Sequence, residues 1–451
     1  MTNSSSTQQP YFYHIETSSL PEINNRAERF LAAFAEILRN SNYRFLIDLY
    51  ARVSAKCGRC AVSCQVYQAT NDARDVPCYR TNLLLDVYKQ YFSSNTGFHR
   101  LTADNALGNG KIDEMAELFY RCTACRRCSI DCPLGIDHGL IAHLGRYVLS
   151  EAGIAPKGLV VSVREQLEGA TGNTSAIPLP ALLDNIEFLQ EELQDMTGKS
   201  VDFPVDLEGA DYIFFPAVSD YLMEADTLMG NAAALQAAGI SWTIGTKYYD
   251  GINYGLFYND WVLEQIIEKL VKEAHRLKAK KILIGECGHA ARSAKQFIPT
   301  FANGRSLPVV SILELTSQAI REGKIKLKQE AIPERVTYHD PCNIARSGWL
   351  INQPRQILRS FVGDFVEMYP HGRENYCCGG GGGLVSLDET HEFRMKVSGK
   401  TKAEQIHASQ AQIVATPCAN CKKQLRELMD YYNLPIQIVG VHDLVLRAIE
   451  F

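Results

Sequence analysis

Fourteen cysteines constrain this 451-residue chain more than any other feature, because they come in groups. Cys57, Cys60, Cys64 and Cys78 form the first group and Cys122, Cys125, Cys128 and Cys132 the second. Cys287 stands alone. Cys342, Cys377, Cys378, Cys418 and Cys421 form the last group. Structural cysteines scatter, whereas ligands cluster. Thirteen of these are spaced as iron–sulfur ligands, so the fold must be built around redox metal and the chain is expected to move electrons.

The run Cys122-x2-Cys125-x2-Cys128-x3-Cys132-Pro133 has the bacterial ferredoxin spacing. Three close thiolates cap one cube, and the fourth, before proline, reaches across to a second. Zinc needs only four ligands and rarely uses this run. The geometry demands a partner motif, and residues 54–64 supply an altered one. They read Ser54-x2-Cys57-x2-Cys60-x3-Cys64, followed by Gln65 where the template has proline. A serine oxygen is a poor iron ligand beside a softer thiolate. Cys78, fourteen residues past Cys64, is the candidate replacement, with Ser54 or water the alternative. One cube then uses Cys57, Cys60, Cys78 and Cys132, and the other uses Cys122, Cys125, Cys128 and Cys64.

The flanking segments read as helices. Phe30, Leu31, Phe34, Ile37 and Leu38 recur at helical spacing. So do Ile112, Met115, Leu118 and Phe119, and then Ile136, Leu140, Leu144 and Tyr147. These stripes predict a helical ferredoxin-like domain over residues 23–150 wrapped around two cubes. Residues 1–22 form a polar N-terminal extension matching no assigned element, and 151–208 read as a helical connection. From residue 209 short apolar runs alternate with amphipathic segments, which is the texture of an α/β fold. Val262, Ile266, Leu270, Val271 and Ala274 read as the core stripe of a crossover helix.

Two stretches of this half resemble each other, giving α/β units over 209–325 and 326–451. Ala217 aligns with Cys342, Tyr249 and Asp250 with Cys377 and Cys378, and Ala290 with Cys421. The offsets are 125, 128 and 131 residues. Only Cys287 survives, opposite Cys418. The second unit should hold a metal centre and the first only the other wall of a cleft. Five cysteines are one too many for an ordinary cube, and an adjacent pair suits a larger or opened cluster. Gly379 and Gly380 open a glycine run that lets backbone approach a bulky cofactor.

The pattern Cys342-x34-Cys377-Cys378-Gly379-x38-Cys418-x2-Cys421 resembles the cysteine-rich CCG domain of the heterodisulfide reductase family. With the ferredoxin-like half in front, the chain from about residue 50 resembles that family's fused D-type subunit. The resemblance implies two cubane [4Fe–4S] clusters and, on the five last cysteines, a noncubane [4Fe–4S] cluster that reduces a disulfide or related sulfur substrate. The single CCG set and the segment Gly285–Ala290 resemble subunits in membrane redox complexes of sulfate reducers. Having one set puts cleavage of a disulfide between two clusters in doubt.

If sulfur chemistry takes place, a leaving thiolate needs a proton. His289 and His339 are the candidates nearest the expected cleft. Cys287 is a candidate for a transient mixed disulfide. Asp340 is a candidate to orient His339 or a backbone amide, and Glu286 to do the same for Cys287. A pure electron relay is the competing expectation. Open Cys287 and His289 would favour the enzyme, and a sealed centre the relay. A glycolate-oxidase-like subunit is weakened by the absence of a G-x-G-x-x-G after a predicted strand. Expected partners are a flavoprotein, a ferredoxin-like protein or a membrane quinone or cytochrome subunit, because the chain shows no motif for flavin or haem. A net charge of -5 argues against nucleic acid. No signal-like or spanning apolar run of about 20 residues appears, so a cytoplasmic protein docking on a membrane subunit is expected.

Overall fold

The computed structural model describes residues 25–93, 106–302 and 304–451; the expected extension 1–22 lies outside them. The first part is helical: α1 (Arg26–Asn40), α2 (Tyr43–Val53), α3 (Gln65–Thr70), α4 (Pro77–Tyr91), α5 (Asn109–Tyr120), α6 (Arg127–Ile130) and α7 (His138–Glu151). Side-chain caps start two of these. Asn25 accepts from the Ala27 amide, and Asp137 accepts from those of Gly139 and Leu140. Phe30, Phe34, Ile37 and Leu38 of α1 meet Ile112, Met115, Leu118 and Phe119 of α5 in one core. On α7 the buried face is Ile141, Leu144 and Val148, while Leu140 and Tyr147 are only half-buried. The helix starts at His138, so Ile136 lies before it and does not set its register. The connection contains two further helices, α8 (Lys157–Glu168) and α9 (Leu179–Thr197).

Two four-stranded parallel sheets follow. The first comprises β1 (Tyr212–Phe215), β2 (Trp242–Thr243), β3 (Lys281–Ile284) and β4 (Val309–Ser311), in the order β2-β1-β3-β4. Its helices are α10 (Ala225–Ala237), α11 (Asp260–Arg276), α12 (Gly288–Phe301) and α13 (Ile312–Arg321). The expected stripe of α11 is buried throughout. A short β5 (Lys326–Leu327) leads to the second sheet: β6 (Val336–Tyr338), β7 (Phe365–Val366), β8 (Ile413–Ala415) and β9 (Gln437–Val439). Its order, β7-β6-β8-β9, repeats the first. Around it lie α14 (Cys342–Ala345), α15 (Asn352–Arg359), α16 (His391–Phe393), α17 (Lys400–Ser409), α18 (Ala419–Tyr431) and α19 (Val441–Ala448). A final β10 (Ile449–Glu450) pairs antiparallel with β5. Strands of three or four residues, buried almost throughout, explain the continuous apolar runs in the sequence.

The sheets share a core in which α10 packs on α19 and α13 on α15. The helical part is joined to the first sheet by a second continuous core. In an open parallel sheet, ligands bind beyond the strand carboxyl ends where the strand order reverses. In the second sheet that point lies between β6 and β8. Cys342 follows β6 and Cys418 follows β8.

Candidate metal centres

Cys57, Cys60, Cys78 and Cys132 line one cavity, together with Ser54 and His138. Pro77 opens α4 and sets Cys78 in its first turn, where the Cys78 amide donates to Cys60 Sγ at 3.2 Å. A hydrogen bond from the Cys60 thiol brings the Cys78 thiol down to about 6. The Ser54 hydroxyl donates to Asn82 Oδ1 at 3.1 Å, and the Asn82 amide in turn donates to the Cys78 carbonyl at 2.7 Å. Ser54 therefore serves to hold the α4 entry beside the cavity. Cys57 is exposed, so this cavity lies at the surface.

Cys64, Cys122, Cys125 and Cys128 line a second cavity. Ala124 and Arg126 take left-handed backbone in this loop, which bends it around the cavity. The Arg80 guanidinium, almost wholly buried, points Nη2 at Cys64 Sγ at 3.8 Å and stands 3.8 Å from Asp75. Burial opposes its charge, yet the thiolates of Cys122, Cys64 and Cys128 more than offset this and raise its pKa. Burial is the main cause that raises the Cys64 thiol; Arg80 opposes it. Each four-thiol cavity is a soft donor set, and the second carries a fixed counter-charge. Both fit a cubane [4Fe–4S] cluster.

Cys342, Cys377, Cys378, Cys418 and Cys421 converge in one buried cluster with Met368, Met395, Leu425 and Leu428. Cys421 Sγ stands 3.5 Å from Cys378 Sγ. Hydrogen bonds from Cys377 and Cys421 hold the Cys378 thiol well below the ordinary range. A ring nitrogen of His339 lies within 4.8 Å of both Cys378 and Cys421 sulfurs. Its ring is buried with no oxygen or nitrogen partner, and the Cys378 thiol is its hydrogen-bonding neighbour. Five thiols and a buried imidazole that touches only thiols, converging in one core, form a donor set that fits an iron–sulfur centre.

Cys287 is 0% exposed, and its thiol meets that of Cys418. His289 is 3% exposed; the Asn420 amide donates to its Nδ1 at 3.0 Å, and Phe257 packs edge-on at 4.5 Å. That bond leaves the ring proton on Nε2. Burial lowers the pKa of both His289 and His339. Asp340 does not reach His339. It makes a bidentate pair with Arg355 at 2.9 and 2.8 Å and accepts from the Gly372 amide. Glu286 accepts from the Val441 and His442 amides and the His442 ring, and so anchors α19 rather than Cys287. Tyr249 and Asp250 are buried. Asp250 accepts from the Thr174 amide and hydroxyl, and Tyr249 donates to the Ile177 carbonyl, so both tie down the connection.

The glycine run lies against the second cavity. A Cβ on Gly381 would collide with the Thr123 carbonyl oxygen, and one on Gly382 would stand 2.5 Å from that of Cys122. Gly379 and Gly380 pack on Gly399 and Gln424. Three residues with no recognisable local motif complete this junction. Buried Arg146 donates to the Cys122 and Gly382 carbonyls, both at 2.7 Å. Arg346 donates to the Cys125 carbonyl at 3.1 Å and to Asn375. The Gln65 amide brackets Cys377: its Oε1 accepts from the Cys377 amide at 2.9 Å, and its Nε2 donates to the Cys377 carbonyl at 3.2 Å and to that of Ser398. Only Gln65 left a sequence signal, because it stands where the template has proline. Cys125 itself meets Cys377, so the second cavity and the five-cysteine group share a wall.

Comparison with known proteins agrees with this geometry. A 4Fe-4S dicluster domain matches residues 55–136, and the cysteine-rich CCG domain matches 336–426. An Hdr-like menaquinol oxidoreductase iron-sulfur subunit 2 of Archaeoglobus fulgidus is 30% identical over 95% of this chain and 84% of its own length. The chain belongs to the heterodisulfide-reductase-like iron–sulfur subunit family. Within that family, the D-type subunit of the dihydromethanophenazine:CoB--CoM heterodisulfide reductase of Methanosarcina barkeri is 24% identical over 90% of this chain and 95% of its own. An EtfAB:quinone oxidoreductase of Syntrophomonas wolfei is 21% identical over 86% of this chain and 56% of its own. The chain is thus an iron–sulfur redox subunit. Among the described residues no helix is long and apolar enough to cross a membrane.

Proposed function

We propose that this subunit is an electron relay running from the surface cavity of Cys57, Cys60, Cys78 and Cys132, past that of Cys64, Cys122, Cys125 and Cys128, to the five-cysteine group. In this reading the thirteen cysteines are the ligands, Cys78 completes the first set, and Gly379 and Gly380 give the last centre room. When bound, two cubane [4Fe–4S] clusters and one noncubane [4Fe–4S] cluster supply one-electron chemistry at these places. The chain's own residues fix the spacing. The carrying observation is the shared wall: Cys125 meets Cys377, while Gln65, next to Cys64, holds the Cys377 backbone. The domains are read as 23–150, 151–208, 209–325 and 326–451, with the last two descended from one duplicated unit; the matching strand orders support this.

A partner is needed at the open end. Phe45 (81% exposed), Leu49 and Val53 make an apolar stripe on α2, and exposed Leu134 lines the first cavity beside Cys57. A membrane quinone or cytochrome subunit is the partner we favour, given the menaquinol and quinone relatives. This would keep a cytoplasmic subunit peripheral to the membrane.

Sulfur chemistry at the last centre is a second reading, supported by the Cys287 thiol against Cys418 and by the His289 Nε2–H as a hydrogen-bond donor. There the Cys287 thiolate would attack the disulfide, forming a mixed disulfide and releasing one half as thiolate, and two electrons from the centre would release the other half; the His289 Nε2–H would hydrogen-bond the departing sulfur, with the protons drawn from solvent. The burial of both residues favours the relay. The test is to reduce the loaded protein anaerobically, then offer either a short aliphatic disulfide or a one-electron dye. The relay predicts reoxidation by the dye and no thiol from the disulfide. Two thiols released per two electrons would overturn it in favour of the second reading.

A further inference from the structure

We infer that His339 is a nitrogen ligand to the metal ion shared by Cys378 and Cys421. This rests on the reading that the five-cysteine group holds an iron–sulfur centre. Two thiolates on one tetrahedral ion, with metal–sulfur bonds of about 2.3 Å, stand about 3.8 Å apart. The Cys378 and Cys421 sulfurs are 3.5 Å apart, which suits one shared ion and is too close for caps on separate corners of a cube. An imidazole nitrogen on the same ion would lie about 3.6 Å from each sulfur. A His339 nitrogen is already within 4.8 Å of both.

The surroundings point the same way. His339 is 0% exposed; its ring meets the Cys378 thiol and finds no oxygen or nitrogen partner, so at least one ring nitrogen is left bare. A buried polar atom left bare costs free energy unless a ligand or ion takes it up. The ring cannot easily swing away. The His339 amide donates to the Ala415 carbonyl at 3.0 Å, which ties the residue at the end of β6 to β8, the strand that Cys418 follows. Only Asp340 and Pro341 separate His339 from Cys342, so the segment leaving β6 carries both a nitrogen and a sulfur donor. Neutral imidazole in place of an anionic thiolate makes an iron easier to reduce. This suits the end of an electron path, and it gives His339 a ligand's task in place of proton delivery.

The test uses the loaded full chain, grown with ordinary or with 15N-labelled histidine. Pulsed EPR on the third centre's own signal should show a strong coupling to directly bound nitrogen that changes with the label. His289→Gln should keep that coupling and His339→Ala should abolish it. About 12 irons and a third signal without label-sensitive coupling would overturn the inference alone, leaving the centre all-thiolate. About 8 irons and no third signal would overturn it together with the reading beneath it. The label experiment needs no variant, so loss of iron in His339→Ala does not blunt it.

Discussion

Gln65→Leu tests whether the two cluster-bearing parts are held together as described. The Gln65 amide is buried and makes three hydrogen bonds, two to the Cys377 backbone and one to the Ser398 carbonyl. Leucine keeps the bulk and removes all three. At about 1 kcal/mol each the loss is about 3 kcal/mol, and a dry Cys377 amide adds about 1–2 more. At about 2 °C per kcal/mol for a chain of this size, the midpoint should fall by about 8–10 °C. The assay is anaerobic thermal bleaching of cluster absorbance at one scan rate. Gln68→Leu is the control, since that exposed side chain makes a single bond to the Val62 carbonyl and should move the midpoint by about 1 °C or less. Equal shifts for the two variants would refute the clamp.

Cys78→Ala should remove about four irons per chain and one cubane EPR signal, while Ser54→Ala should keep both. Unchanged iron in the first variant would return Ser54 or water to the ligand set. Asp250 offers a pH test. Burial, opposed by the Thr174 and Ile252 amides, raises its carboxyl to about 6. The folded state therefore prefers the protonated form, and its contribution is lost as pH rises from about 4 to about 6, by about 3 kcal/mol in all. Denaturant midpoints of wild type and Asp250→Asn across that window should differ in slope, with the variant flatter. Parallel curves would contradict the assignment.

The cysteine spacings carried most of what could be read locally. Short-range spacing places Cys122, Cys125 and Cys128 on one loop, and the crossed template brings Cys64 to them and Cys132 to Cys57 and Cys60; the structure lines two cavities with these groups. Cys78 was visible only because Ser54 broke the template. The residues that join the parts were not legible. Arg146 bonds to carbonyls at 122 and 382, and backbone acceptors carry no residue type. Of the stripe that ends on α7, Ile136 and Leu144 are in the core, while Leu140 and Tyr147 are half-buried beside the buried Ile141 and Val148, because Ile136, before the Asp137 cap, does not set the helix register. The burial of Cys287 and His289 depends on packing between units far apart in sequence, which periodicity does not report.

Iron content combined with EPR, on anaerobically purified protein reduced and then oxidised with thiol present, tests the central claim that three centres lie in one line. The account predicts about 12 irons per chain, reduced cubane signals broadened by their neighbours, and a third signal tied to the five cysteines. About 8 irons, with two fully loaded cubanes and nothing at Cys342, Cys377, Cys378, Cys418 and Cys421, would contradict it.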